Sequence, residues 1–217
     1  MLIALLAVAS YWIGAIPFGV IATKLRGIDI LHYGSGNPGA TNVWRAAGPK
    51  LGLTVFVLDV LKGWLPAAGA TYVTGDSTIG LLCGIVAIIG HSLSPFLKFR
   101  GGKGISTGLG ALLGSGPWVA GIVLSVFILV FVASRIVSLS SICAAIALVV
   151  CGFALRLPLA VQGIYWALAV FIIVRHRPNI SRLVKGEEPK FKFRNRKQEA
   201  ADSKPDAEQS HGEEQDS

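Results

Sequence analysis

The constraint that governs this chain is a succession of apolar runs too long and too free of charge for a water-soluble core. Seven follow one another, at about residues 2–22, 51–73, 78–97, 105–114, 118–133, 139–155 and 158–174, each cut off by a short polar segment. Crossing a hydrocarbon core of roughly 30 Å takes about 20 apolar residues, and in lipid a helix satisfies its own backbone. The expectation is an all-α integral membrane protein of about seven transmembrane helices, some of them short. Composition agrees: 53% of the 217 residues are hydrophobic and 15% are charged, where a soluble domain carries roughly 25% charged residues. The run 105–114 reads as a short outward helix and 118–133 as its return after Ser115-Gly116-Pro117; a re-entrant hairpin is the alternative.

Charge placement sets the expected orientation. No basic residue precedes the first run, while Lys24 and Arg26 follow it, so it does not read as a cleaved signal peptide and its start is expected outside. The inner loops then receive Lys24, Arg26, Arg45, Lys50, Lys98, Arg100, Lys103, Arg135, Arg175, Arg177 and Arg182, and the outer loops only Asp76 and Arg156. This positive-inside bias puts the C-terminus in the cytoplasm. Residues 1–184 form the expected membrane domain. The polar stretch 185–217 reads as a disordered cytoplasmic tail, to which no chemistry is assigned.

Within 1–184, 13 lysines and arginines face three acids, Asp29, Asp59 and Asp76. That excess points to an anionic ligand, an anionic leaflet, or both. It does not point to nucleic acid, because the cations are divided among short interhelical loops. Asp59 and Lys62 stand three apart on one helical face and read as a structural ion pair rather than a transport relay. So few carboxylates, with no histidine pair at zinc spacing, argue against a metal. Cys83, Cys143 and Cys151 all lie in apolar runs and read as small core hydrophobes. Gly80 and Gly84, four apart, allow close helix packing.

The densest polar stretch runs from His91 to Thr107 and contains Lys98, Arg100, Gly101, Gly102, Lys103 and Gly104. Glycines let backbone N–H groups approach a ligand, lysine and arginine supply fixed charge, and a helix starting near Gly104 would aim its N-terminus at the loop. That combination builds a phosphate site; a basic topology signal is the plainer reading. A second stretch, Gly34-Ser35-Gly36-Asn37-Pro38-Gly39, matches a dinucleotide fingerprint in letters but follows a membrane helix rather than a strand. It makes sense instead as a phosphate nest, with Ser35, Asn37 and Asn42 as donors and Arg45 as a fork, or else as a tight polar connector. His176, between Arg175 and Arg177, is expected neutral and shares a helical turn with Asn179 as a positioning pair. Covalent catalysis from Ser138 or Ser141 with His176 finds no nucleophile elbow.

Taken in order, these clusters resemble the bacterial PlsY-type family of acyl-phosphate-dependent glycerol-3-phosphate acyltransferases. The resemblance covers about 1–185. It rests on Ser35-Gly36-Asn37-Pro38-Gly39-Ala40-Thr41-Asn42 with Arg45; Asp59 with Lys62-Gly63; Gly90-His91 through Phe99-Arg100-Gly101-Gly102-Lys103-Gly104; Arg135 with Ser138-Leu139 and Ser141; and His176 through Asn179-Ile180 with Arg182-Leu183. It implies acyl transfer from acyl phosphate to the 1-hydroxyl of glycerol 3-phosphate, giving lysophosphatidate and phosphate, the first acylation of phospholipid synthesis. It further implies a multi-pass protein of the bacterial inner membrane, a cytoplasmic site, no cofactor, and no acyl-CoA or acyl carrier protein as donor. Membrane lipid and the soluble enzyme that makes acyl phosphate are the implied neighbours. On that resemblance Lys103, Ser141, His176 and Asn179 are the candidate catalytic residues. Ser35, Gly36, Asn37, Gly39, Asn42, Arg45, His91, Arg100, Gly101, Gly102, Gly104 and Ser138 are the candidates for binding substrate phosphate. A transporter or flippase for a phosphorylated metabolite is the rival; against it, the clusters share one face and 1–184 shows no inverted repeat.

Overall fold

The computed structural model describes residues 1–191. Among them every regular element is helical: α1 Leu2–Ala15, α2 Phe18–Lys24, α3 Ala40–Ala47, α4 Pro49–Thr74, α5 Ser77–Ser92, α6 Ile105–Ser115, α7 Pro117–Ser134, α8 Val137–Ala154, α9 Leu159–Arg175 and α10 Arg177–Val184, with a 3-10 turn at Pro95–Leu97. The seven expected apolar runs all appear as helix, but their lengths differ. Five stretches are long and apolar enough to cross a membrane: Leu2–Lys24, Pro49–Thr74, Ser77–Leu97, Pro117–Ser134 and Val137–Ala154. α9 joins them as a sixth only together with α10, from which it bends by 62°. α6, at 11 residues, rises only about 16 Å at 1.5 Å per residue and falls short of a full crossing.

Local chemistry places the breaks. Pro17 has no N–H to continue the ladder, so the first span divides at Ile16–Pro17 into α1 and α2. Gly116 and Pro117 turn α6 into α7, as the sequence leads one to expect. Two helices were hidden in segments that read as polar loop: α3 and α10, eight residues each, both amphipathic.

The bundle closes on two apolar clusters. Leu81, Ile88, Leu112, Leu148, Leu168 and Ile172 join α5, α6, α8 and α9; Val43 of α3 packs in a second cluster with Val20, Ile30, Val55 and Leu97. α4 and α6 pack backbone against backbone. A Cβ on Gly63 would meet the Thr107 carbonyl, one on Gly110 the Val60 carbonyl, and one on Gly114 the Ala68 nitrogen at 2.6 Å. The glycines expected to allow close packing do so: Gly84 faces Ala111, and Gly80 faces Thr71. Asp59 and Lys62 form the expected pair at 2.6 Å, each 3% exposed, and Lys62 Nζ also donates to the Ile16 carbonyl at 3.0 Å, tying α4 to the break in the first span. Cys83 and Cys151 are buried, Cys143 is half-buried, and all three are free thiols.

Candidate active site

The polar clusters converge on one cleft of about 710 Å³. Its walls come from the loop before α3, from α3 itself, from α4 and α7, from the loop between α5 and α6, from the start of α8, and from His176 and α10.

Lys103 stands on the loop between α5 and α6, and its place follows from three local facts. Gly104 takes a left-handed φ of 82°, a conformation a side chain would strain, and from it α6 starts. The first-turn N–H groups of α6 therefore have no intrahelical partner, and Ile105 and Ser106 line the cleft beside Lys103. Behind the lysine, Gly102 N–H donates to the His91 carbonyl at 3.2 Å, and Gly101 N–H to the Ser92 carbonyl at 3.0 Å. Arg175 Nη2, from the end of α9, donates to the carbonyls of Gly101 and Gly102 at 2.8 and 3.0 Å. The loop is thus clamped from both sides. Lys103 Nζ reaches across to Asn179 Oδ1 at 2.6 Å. Burial draws its ammonium pKa down to about 8; Glu188 opposes that shift, while Arg182, Arg175 and Arg45 add to it.

His176 is 2% exposed at the junction of α9 and α10. Burial lowers its pKa to about 4, with Lys103 and Arg175 pushing the same way. The imidazole is accordingly neutral, as expected from its basic neighbours. Its Nδ1 lies 2.8 Å from the Ile172 carbonyl, which can only accept, so the proton sits on Nδ1 and Nε2 keeps a lone pair.

The other candidate residues fall into distinct groups. Ser35, Asn37, Gly39, Asn42, Arg45, His91, Gly104, Ser138 and Ser141 line the cleft with Lys103, His176 and Asn179. Asn42, expected as a phosphate donor, is spent on its own loop. It is 3% exposed, donates to the carbonyls of Tyr33 at 2.9 Å and Ile30 at 3.3 Å, and accepts from the Ser35 N–H. Asn37 Oδ1 likewise caps the Gly39 N–H at 2.8 Å. Ser141 donates to the Val137 carbonyl one turn back. Gly101 and Gly102 do not line the cleft; they brace the loop behind it. Gly36 and Arg100 also stand off it, and Arg100 is exposed, because the chain turns after Phe99 and leaves that side chain outside.

Sequence reasoning missed Glu188. The segment after α10, read as a solvated tail, lies across the cleft, where Glu188, Pro189 and Phe191 line it. The Glu188 carboxylate accepts from Ser138 Oγ at 2.7 Å, Asn179 Nδ2 at 2.6 Å and Arg182 Nε at 2.7 Å. Burial alone would raise its pKa; these bonds and the Arg182 charge outweigh that and hold it below the ordinary glutamate range. The expectation for residues 192–217 lies outside the described residues. Arg175, expected only as an inner-loop cation and a neighbour of His176, is the clamp on the Gly101 and Gly102 carbonyls.

Beneath the polar cleft an apolar slot runs between α6, α7, α8 and α9, lined by Leu109, Leu112, Val123, Leu124, Ala144 and Leu148. It shares Phe56, Ile105, Ser106, Phe127 and Ser141 with the cleft. The arrangement suits an amphiphile, with an anionic head among the cations and a chain among the helices. Among the described residues no group of histidine, cysteine and carboxylate could hold a metal ion.

Comparison with known proteins agrees with this geometry. The sequence model of a family described as glycerol-3-phosphate acyltransferase matches residues 4–186. A glycerol-3-phosphate acyltransferase of Fusobacterium nucleatum is 45% identical over 190 residues, covering 86% of this chain and 96% of that protein. One of Aquifex aeolicus is 41% identical over 187 residues, covering 86% and 97%. The crystal structure of PlsY, an integral membrane glycerol 3-phosphate acyltransferase, in its glycerol 3-phosphate form, superposes with a TM-score of 0.84 at 40% identity, covering 88% of this chain and 96% of that one. Its lysophosphatidic acid form superposes at 0.82. The chain is a multi-pass membrane acyltransferase and belongs to the glycerol-3-phosphate acyltransferase family.

Proposed function

We propose that this enzyme transfers a fatty acyl group from acyl phosphate to the 1-hydroxyl of glycerol 3-phosphate. The products are lysophosphatidate and inorganic phosphate, as in the first acylation of phospholipid synthesis. The observation that carries the reading is one cleft holding Lys103, Arg45 and Arg182 beside Ser35, Ser141 and His176, opening onto an apolar slot. Two phosphorylated substrates need such an excess of cations, and the slot of about 90 Å³ gives the first few methylenes of an acyl chain an apolar start. The family likeness supplies the acceptor: the solved relatives are named for glycerol 3-phosphate and lysophosphatidic acid forms.

The chemistry needs no enzyme nucleophile. The glycerol hydroxyl oxygen attacks the acyl carbonyl carbon, the carbon–oxygen bond to phosphate breaks, and phosphate leaves with the electron pair. Lys103 and the N-terminal N–H groups of α6 stabilise the oxyanion that forms, and Arg45 and Arg182 hold phosphate oxygens. His176 Nε2 accepts a hydrogen bond from the attacking hydroxyl and orients it. A group with a pKa of about 4 does not keep the proton; a phosphate oxygen, with a second pKa near 6, is the stronger base and takes it. The site belongs on the cytoplasmic face of the bacterial inner membrane. There the N-terminus lies outside, the C-terminus inside, and the donor arrives from the soluble enzyme that makes it.

Purified protein supplied with acyl phosphate should release phosphate only when glycerol 3-phosphate is added, with lysophosphatidate formed in equal amount. Equal turnover with acyl-CoA, or release independent of glycerol 3-phosphate, would overturn the donor or the acceptor assignment.

A further inference from the structure

Glu188 lies two residues beyond the stretch matched by the family model, yet it stands at the centre of the cleft's hydrogen bonding. Its side chain is 8% exposed. Three donors from two helices meet on it: Ser138 from α8, Asn179 and Arg182 from α10. Of these, Asn179 has a second partner, because its Oδ1 receives the Lys103 ammonium.

An asparagine amide has unlike ends, one that only accepts and one that only donates. With a carboxylate at one end and an ammonium at the other, only one orientation works. The reverse would set NH₂ against the ammonium and carbonyl oxygen against the carboxylate. The two bonds, 2.6 Å each, are charge-assisted and short.

We propose that Glu188 is a positioning residue, whose carboxylate fixes the orientation of the Asn179 amide and, through it, the place of the Lys103 ammonium. Glu188 does not touch the reacting atoms. It acts through Asn179, while Ser138 and Arg182 hold the carboxylate still. The segment after α10 is in this way part of the catalytic architecture.

The arrangement has a titration signature that a merely structural tie lacks. Lys103 is faced by Arg45 from α3, Arg175 from α9, His176 at the α9–α10 junction, Arg182 from α10 and Glu188 from the segment beyond, and the cleft also holds His91 from α5 and Asp59 from α4, the latter paired with Lys62. His176 is neutral above pH 5. The three arginines lower the lysine pKa, and Glu188 is the carboxylate that raises it. Lys103 must be protonated to act, so activity is full below its pKa of about 8 and falls above it. Removing the negative charge moves that alkaline limb to lower pH.

The proposal rests on the acyl-transfer reading, so the test has one readout that does not need turnover. Glu188→Gln and Glu188→Asp are purified in detergent, and each is measured for melting temperature and for kcat/KM against pH. The reactivity of the Lys103 amine toward an amine-directed acylating reagent is followed against pH by mass spectrometry. For Glu188→Gln, both the kcat/KM limb and the amine reactivity midpoint should move down by on the order of half a pH unit or more. Turnover per folded molecule should fall about tenfold or more, because the ammonium is no longer held in place. Glu188→Asp keeps the charge but is one methylene shorter. Its limb should stay where the wild-type limb is while turnover falls. Unmoved reactivity in Glu188→Gln, or wild-type turnover in Glu188→Asp, overturns the proposal. So does failure of both variants to fold, which assigns Glu188 to the fold alone. A wild type that turns nothing over while the Lys103 reactivity shifts as stated sinks the acyl-transfer reading and leaves the positioning intact.

Discussion

Replacing Gly102 by alanine tests whether the loop carrying Lys103 is held to ångström tolerance. A Cβ at this position would lie 2.5 Å from Cε1 of His91, and closer still to Nε2. Ordinary carbon contacts begin near 3.4 Å, so at least 0.9 Å must be found against Cε1 and more against Nε2. The imidazole is poorly placed to give it: it is 9% exposed, with Nδ1 3.9 Å from Asp59 Oδ1 on the far side. The loop must move instead, against the bonds from Gly102 to the His91 carbonyl and from Arg175 to the Gly101 and Gly102 carbonyls. A shift of this size at the next residue, Lys103, misplaces the ammonium by about an ångström or more. Misplacement on that scale costs on the order of 10²-fold in rate, and the overpacking destabilises the fold by about 1–3 kcal/mol. The assay is phosphate release with glycerol 3-phosphate varied, together with melting temperature in detergent. Gly163→Ala in α9 is the control, because a Cβ there meets nothing within 4 Å. It should keep full activity and gain slightly in stability, as alanine does over glycine in a helix. A Gly102→Ala enzyme within threefold of wild type would show that the loop tolerates displacement, and the clamp argument would fail.

Lys103→Ala should lose about 3 kcal/mol or more of transition-state stabilisation, 10²-fold or greater, with little change in melting temperature. Lys103→Arg should recover only part, since a planar fork is no point charge; full activity in the arginine variant would contradict this. Asp59→Ala should destabilise by about 3–5 kcal/mol, because it strands the buried Lys62 ammonium, and Asp59→Ala with Lys62→Met should regain most of the loss in thermal melts. A double variant no better than the single would refute that account. Activity should survive a chelator without added divalent ion; loss in EDTA restored by Mg²⁺ would refute the acid-poor reading of the site. A tag at residue 76 should be accessible from outside and one at 101 only from inside; labelling both from one side would overturn the orientation.

Much of the fold was legible because lipid leaves so few options. Apolar runs must be helices, Pro17 and Gly116-Pro117 must break them, and two opposite charges three apart in a span must pair. Length was harder. α6 is apolar throughout yet only 11 residues long, and hydropathy alone does not say how a short helix is accommodated. The amphipathic α3 and α10 were hidden because their polar faces, and the glycines beside α3, read as loop. Lys103, Arg45, His176 and Asn179, which line the cleft, could be singled out as candidates because the positive-inside pattern puts their clusters on one side. Asn42 and Arg100 carry the right chemistry, but one spends it on backbone carbonyls and the other points to solvent. No periodicity marks a single glutamate in a polar tail, so Glu188 had no signal short of the fold itself.

The glycine seam between α4 and α6 bears on how substrates get in. Where backbone touches backbone, a helix cannot roll about its axis without driving carbonyls into its neighbour, so the floor of the cleft is a fixed surface. α3 shares that close packing, because a Cβ on Gly52 of α4 would lie 2.7 Å from the Trp44 Cα, so entry and exit fall to the segment from 185 to 191, whose hold on the cleft includes side-chain hydrogen bonds, the Phe191 N–H bond to the Arg135 carbonyl and the aromatic contacts of Phe191 with Trp44 and Phe131. A rim held by hydrogen bonds and ring contacts opens at less cost than a bundle packed backbone on backbone.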